Sequence, residues 1–244
     1  MRAVLLSGVM MSVLLVGGAQ ADSVNVAVAA NFTNVAEQLA PLFAAETGHE
    51  VVYSFGATGQ LYTQITQGAP FQVLLAADAI RPTKAVDEGL GVPGSVFTYA
   101  IGALALYSTV LDVSDGAAVL KGGAFDKLAI ADPATAPYGV AAEQTLAALG
   151  LTEAMATKLV TGENISQTLQ FVETGNAELG FVAASQVVGK PGVWRVPGNL
   201  HEPIRQDAVL LKSGENQPAA LEFMEFLRSP RAVSVIEAAG YGVD

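Results

Sequence analysis

The chain has 244 residues, of which 51% are hydrophobic and 14% charged, and 12 Lys+Arg against 23 Asp+Glu give a formal net charge of −11. So acidic a chain is excluded from binding nucleic acid or anionic membranes through charge. The absence of cysteine excludes disulfides, thiol nucleophiles and thiolate metal sites.

Residues 1–21 read as a cleaved export signal. Arg2 gives the positive start, "AVLLSGVMMSVLLVGG" the apolar stretch and Ala19-Gln20-Ala21 the small-residue cleavage site. From there strands and helices alternate. "SVNVAVAA" reads as a strand, and "TNVAEQLAPLFAAETG" as a helix with Val35, Leu39, Leu42 and Phe43 on one face, kinked or locally irregular at Pro41. "HEVVYSF" predicts a second strand and "GQLYTQITQGA" a second helix, joined by a turn of small residues, "SFGATGQ". "FQVLLAAD" has the unbroken apolar character of a buried parallel strand, and "AIRPTKAVDEGLG" follows as a short helix and turn.

A second set begins near Thr98. "TYAIGALALYS" reads as one strand, "DKLAIADP" as another, "YGVAAEQTLAALG" as a helix and "EAMATKLVTG" as a helix running into a loop. "ISQTLQFVETGNA" predicts a helix, "LGFVAASQVVG" a strand entering a short helix, and "GVWRVPG" and "PIRQDAVLL" two strands. The closing segment "PAALEFMEFLRSPRAVSVIEAAG" predicts one or two helices around Ser229-Pro230. The alternation predicts an α/β fold with mostly parallel sheets flanked by helices.

Ligands of such sheets lie at the carboxyl ends of strands, where helix N-termini present free N–H groups. Four loops there share one chemistry: "AANFTN" (29–34), "SFGATGQ" (54–60), "DPATAPYGV" (132–140) and "VTGENISQ" (160–167). Each has small, hydroxyl or amide residues beside a helix start, and none has Lys or Arg. Taken singly, Asn31, Thr33, Thr58, Asn164 and Ser166 read as ordinary helix caps, and Gly56 and Gly59 as turn residues. Together they offer an anion several helix N-termini, each worth roughly half a positive charge.

The stretch "VAVAANFTNVAEQLAPLFAAETGHEVVYSFGATGQLYTQITQGAPFQVLLAAD" resembles the N-terminal half of periplasmic molybdate-binding proteins, the receptors of ABC-type importers. "IADPATAPYGVAAEQTLAALG", "GENISQTLQFVETGNAELGFVAASQ" and "RSPRAVSVIEAAGYG" look like the same family, so the resemblance spans nearly all of 24–243. It implies a two-lobed type II periplasmic binding protein fold with the ligand in the interlobe cleft. Lobe one is then expected to hold 22–100 plus 202–244, and lobe two 101–201. The resemblance also implies a monomeric carrier of molybdate or tungstate that needs no cofactor and delivers to a membrane permease. Its ligand contacts fall on Asn31, Thr58, Tyr138 and Ile165, with Ala30, Ala57 and Asn164 as further candidates; these touch the oxyanion and are not direct metal ligands. One departure stands out: Ala183 occupies a position where many members place a tyrosine. The expectation is that the Tyr138 phenol replaces it.

Other candidates are weaker. His49 and His201 lie far apart in sequence, Asp78 and Asp132 read as loop braces, and Trp194 as packing. In this reading Gly56, Ala57 and Gly59 bare the backbone for the anion and Thr58 donates beside them. The alternatives are a binder of another oxyanion such as sulfate, an exported hydrolase using Thr58 or Ser54, and a structural domain of the same fold. No histidine stands near the loops to serve a hydrolase.

Overall fold

The computed structural model describes residues 22–243; the expected signal segment 1–21 lies outside the described residues. The chain builds two five-stranded sheets, each flanked by helices. The first has the order β2-β1-β3-β10-β4, from β1 (Ser23–Ala29), β2 (Glu50–Gly56), β3 (Val73–Leu75), β4 (Phe97–Gly102) and β10 (Ile204–Leu210). The second has the order β7-β6-β8-β5-β9, from β5 (Leu104–Tyr107), β6 (Leu128–Ala131), β7 (Leu159–Gly162), β8 (Leu179–Ala183) and β9 (Val193–Arg195). In each sheet a single strand opposes the rest. β10 pairs antiparallel with β3 and β4, and β5 antiparallel with β8 and β9.

The burial of each strand follows its place. β1 lies between β2 and β3, and apart from Ser23 and Asn25 it is buried throughout; β2, at the edge, keeps Glu50, Val52 and Phe55 exposed. Helix α1 (Thr33–Thr47) runs through Pro41 and lays Val35, Leu39 and Phe43 on the first core, where α8 (Pro218–Phe226) adds Phe223 and Phe226. Phe43 meets Phe223 edge-on with ring centroids 5.3 Å apart, the favoured aromatic geometry. Ile236 of α9 (Pro230–Ala238) joins the same cluster, so both closing helices belong to the first core, α8 on the sheet and α9 beside α1.

The segment "TYAIGALALYS" is two strands rather than one. It leaves the first sheet at Gly102 and enters the second at Leu104, and the chain returns between β9 and β10. The two passages run side by side, with Ile204 opposite Gly102 and Gln206 opposite Ala100. "EAMATKLVTG" is also corrected. Only α6 (Thr152–Met155) is helical, and Leu159–Gly162 pairs parallel with β6 as an edge strand. A further helix, α4 (Gly116–Gly122), is capped by Asp115 accepting from the Ala118 N–H at 3.0 Å.

The fold is two-lobed α/β, and the strand ends of both sheets meet. Ala29, Ala30, Ala57 and Ala77 of the first lobe pack in the same apolar cluster as Leu104, Ile130 and Phe181 of the second.

Candidate functional site

At that meeting lies a small cavity whose lining comes from both lobes. β1 and the turn after it supply Ala29, Ala30 and Asn31, and the turn between β2 and α2 (Thr58–Thr66) supplies Gly56, Ala57 and Thr58. Ala77 follows β3. Ala136, Pro137 and Tyr138 begin α5 (Pro137–Ala148), and Asn164 and Ile165 begin α7 (Ile165–Glu173). The structure thus gathers Asn31, Thr58, Tyr138 and Ile165, together with Ala30, Ala57 and Asn164, around one space. No charged residue lines it.

The local folding explains which donors stay free. Thr58 is the first residue of α2, not its cap; the preceding Ala57 makes no side-chain cap. Its hydroxyl oxygen instead accepts from the Ala77 N–H at 3.0 Å, so its own proton is free to be given away. Asn164 caps α7 in the ordinary way, its Oδ1 accepting from the Ser166 and Gln167 N–H groups, both at 3.0 Å. That cap consumes the second and third N–H groups of the helix and leaves the first, that of Ile165. Pro137 opens α5 without a donor, so Tyr138 carries the first N–H of that helix.

The Tyr138 phenol is placed differently from the expectation that it faces the ligand. Its Oη accepts from Gln206 Nε2 at 3.1 Å, and Gln206 does not line the cavity. A Cβ on Gly102 would stand 2.1 Å from that Oη, so glycine at the crossing is what admits the phenol. Ala183, fully buried at the end of β8, is not among the lining residues either.

Gly59 is corrected as well. Its N–H donates to the Thr135 carbonyl of the facing lobe at 2.8 Å, and a Cβ there would lie 3.0 Å from Thr135 Cα. What approaches that bare backbone is the other lobe. Two more bonds cross beside it, from the Ser166 hydroxyl to the Ala30 carbonyl at 3.1 Å and from Arg81 Nη2 to the Ala134 carbonyl at 3.4 Å.

Asn31 sits in a single 3-10 turn before α1 and is 3% exposed. Its side chain joins a buried polar cluster that sequence reading missed, formed by Gln206, Tyr99 and Tyr241. A signal for Gln206 existed. In β10 it shares a face with Ile204 and Ala208, both buried, so a polar residue stands at a core position. Burial pushes the phenols of Tyr99 and Tyr138 well above the usual tyrosine range and that of Tyr241 up to about 12, so all three remain protonated donors near neutrality.

The acids brace loops. Asp78 pairs with Arg81 and accepts its N–H at 2.8 Å, and Asp132 accepts from the Ala134 N–H at 3.0 Å. His49 faces Glu222 at 3.7 Å while His201 contacts the Glu202 carbonyl, and no group of acidic and histidine side chains among the described residues is set to hold a metal. Trp194 packs on the second core. Chemically, the cavity offers one hydroxyl and several helix N–H groups to a small anion and no counter-charge.

Residues 24–242 match the family described as bacterial extracellular solute-binding protein. The chain is 54% identical over 226 residues to the molybdate-binding protein ModA of Rhodobacter capsulatus, covering 91% of this chain and 89% of that protein. It is 55% identical to the ModA of Azotobacter vinelandii over 237 residues, 94% of each. A solved Azotobacter vinelandii periplasmic molybdate-binding protein superposes with a TM-score of 0.87 at 40% identity, covering 91% of this chain and 99% of that one.

Proposed function

The chain belongs to the bacterial extracellular solute-binding proteins, and from that premise we propose that it captures molybdate, and tungstate with it, for an ABC importer. The observation that supports this reading is a cavity lined from both lobes by Thr58, Tyr138 and Ile165, whose hydroxyl proton and helix-start N–H groups are free to donate, and by no charged residue. Residues 22–102 with 202–243 form the first lobe and 103–201 the second, so the expected boundary at 100/101 moves to the end of β4. Residues 1–21 direct export to the periplasm, where the protein works as a monomer and hands its cargo to a membrane permease.

A donor-only site accepts a fully deprotonated dianion. Hydrogen phosphate brings an O–H that meets donors and leaves groups unpaired, which costs about 1–3 kcal/mol. Sulfate is refused by size, because a smaller anion cannot reach the donors of both lobes together and several charge-assisted bonds lengthen at once. Tungstate, nearly the size of molybdate, binds similarly. No resident cofactor takes part, and the protein is a carrier rather than an enzyme. Calorimetry of the mature protein with molybdate, tungstate, sulfate and hydrogen phosphate tests the reading. Strong heats are expected for the first two alone, and equal affinity for sulfate would overturn it.

A further inference from the structure

Asn31 borders the cavity, yet one end of its amide has no partner. Its Nδ2 donates to Gln206 Oε1 at 2.8 Å and to Tyr241 Oη at 2.9 Å, while Oδ1 is buried and unbonded. An acceptor oxygen without a partner is the wrong end to meet an oxyanion. Gln206, fully buried, is tied at both ends: Oε1 also accepts from Tyr99 Oη at 3.1 Å, and Nε2 donates to Tyr138 Oη at 3.1 Å. The ends of a carboxamide have nearly one shape, so the surrounding hydrogen bonds decide which is oxygen.

Turning both amides by 180° keeps all of these contacts but one, the bond that Asn31 Nδ2 gives to Tyr241 Oη. Gln206 Nε2 then donates to Asn31 Oδ1 and to Tyr99 Oη, and Tyr99 gives its proton to the Ala76 carbonyl, 3.1 Å away. Tyr138 gives its proton to Gln206 Oε1. Tyr241 still takes a proton from Ser185 at 2.9 Å, but its own single proton is then shared between the Asn31 carbonyl at 2.8 Å and Asn31 Oδ1, which stands 2.9 Å away and is held by Gln206 as well. The one group left without a protein partner is the Asn31 NH₂, now a donor beside the cavity.

We propose that Gln206 is a positioning residue which, by donating to Asn31 Oδ1, turns the Asn31 NH₂ toward the bound anion and makes the cavity donor-only. The proposal rests on the reading of the cavity as an oxyanion site. It assigns the rejection of anions that carry an O–H to a residue that never touches them. Gln206 suits the task because it is anchored on β10, beside the strand by which the chain crosses between lobes, and because both its ends are held by tyrosines.

The test compares wild type with Gln206→Glu and Gln206→Met by calorimetry, using molybdate and hydrogen phosphate at about pH 10, above the roughly 8–9 reached by buried glutamates. A carboxylate only accepts, so it draws the Asn31 NH₂ away and leaves Oδ1 toward the anion. Molybdate affinity should fall about 100-fold or more in Gln206→Glu, and the molybdate-to-hydrogen-phosphate ratio about tenfold. Charge repulsion alone weakens two dianions alike and keeps the ratio. Gln206→Met, which guides Asn31 neither way, should lose molybdate affinity by about tenfold or less. In the wild type, independent of any variant's folding, the Asn31 side-chain NH₂ resonances should move downfield on adding molybdate while those of Gln206 stay in place. An unchanged ratio in Gln206→Glu, or Asn31 NH₂ signals indifferent to molybdate, overturns the proposal. Absence of molybdate binding by the wild type sinks the underlying reading instead.

Discussion

Replacing Thr58 by valine keeps the shape of the side chain and deletes the oxygen, which separates two roles the structure gives that atom. Thr58 is 1% exposed, and its oxygen accepts from the N–H of Ala77, itself 2% exposed. Without it the Ala77 N–H is buried unpaired, which should lower the stability of the free protein by about 1–3 kcal/mol. The ligand loses a second bond, the one donated by the hydroxyl. A hydrogen bond to a charged group contributes about 1.5–3 kcal/mol, so molybdate affinity should fall about 10- to 150-fold. Both losses are separately measurable, the first by denaturant unfolding without ligand and the second by calorimetry. Thr58→Ser keeps the oxygen and should largely restore both. Stability lost as expected with molybdate affinity unchanged would refute the reasoning, because the hydroxyl would then serve Ala77 alone.

Gly59→Ala should raise or preserve the stability of the free chain, since alanine favours the helix by about 1 kcal/mol, yet weaken molybdate binding about tenfold or more by obstructing Thr135 across the cleft; paired thermal melts and calorimetry check the opposite signs. Molybdate should reduce the radius of gyration in solution scattering and hydrogen phosphate should not, because an anion held by one lobe forfeits the donors of the other and so favours the closed state by its differential affinity. Coincident scattering curves despite a binding heat would count against closure. Burial raises the folded-state pKa of Tyr99, Tyr138 and Tyr241, so their contribution to stability is complete below about pH 10, the unfolded value, and is lost as pH climbs through the folded values, about 12 for Tyr241. Alkaline unfolding followed by circular dichroism should therefore coincide with tyrosinate absorbance of these three; tyrosinate forming well before unfolding would contradict their burial.

Much of this molecule is written locally. The apolar run of β1, the turn "SFGATGQ" and the helix starts at Pro137 and Asn164 each carry their own signal, because strand periodicity and capping depend on residues a few positions apart. Four uncharged, donor-rich helix starts were therefore legible, and so was the kind of ligand such starts suit. β7 was not. "LVTG" is too short to outweigh its helical surroundings until β6 pairs with it. The residues of "TYAIGALALYS" read as one strand, and only the family resemblance put a lobe boundary within them, at 100/101, close to the break at Gly102.

The finer chemistry belonged to tertiary structure alone. Thr58 reads as a cap until Ala77 takes its oxygen, and Gly59 reads as room for an anion until Thr135 arrives from the facing lobe. Tyr138 carries a phenol that sequence cannot aim, and Gly102 and Gln206 draw it to the crossing strands. Asn31 and Gln206 are 175 positions apart in the chain, and only the folding of β10 against the first sheet brings them to 2.8 Å. Sequence determined which donors exist, because a helix start makes its N–H groups free wherever it lies. Where each proton points was decided by the fold, because a hydrogen bond is set by the partner that arrives, and here the partners came from far along the chain.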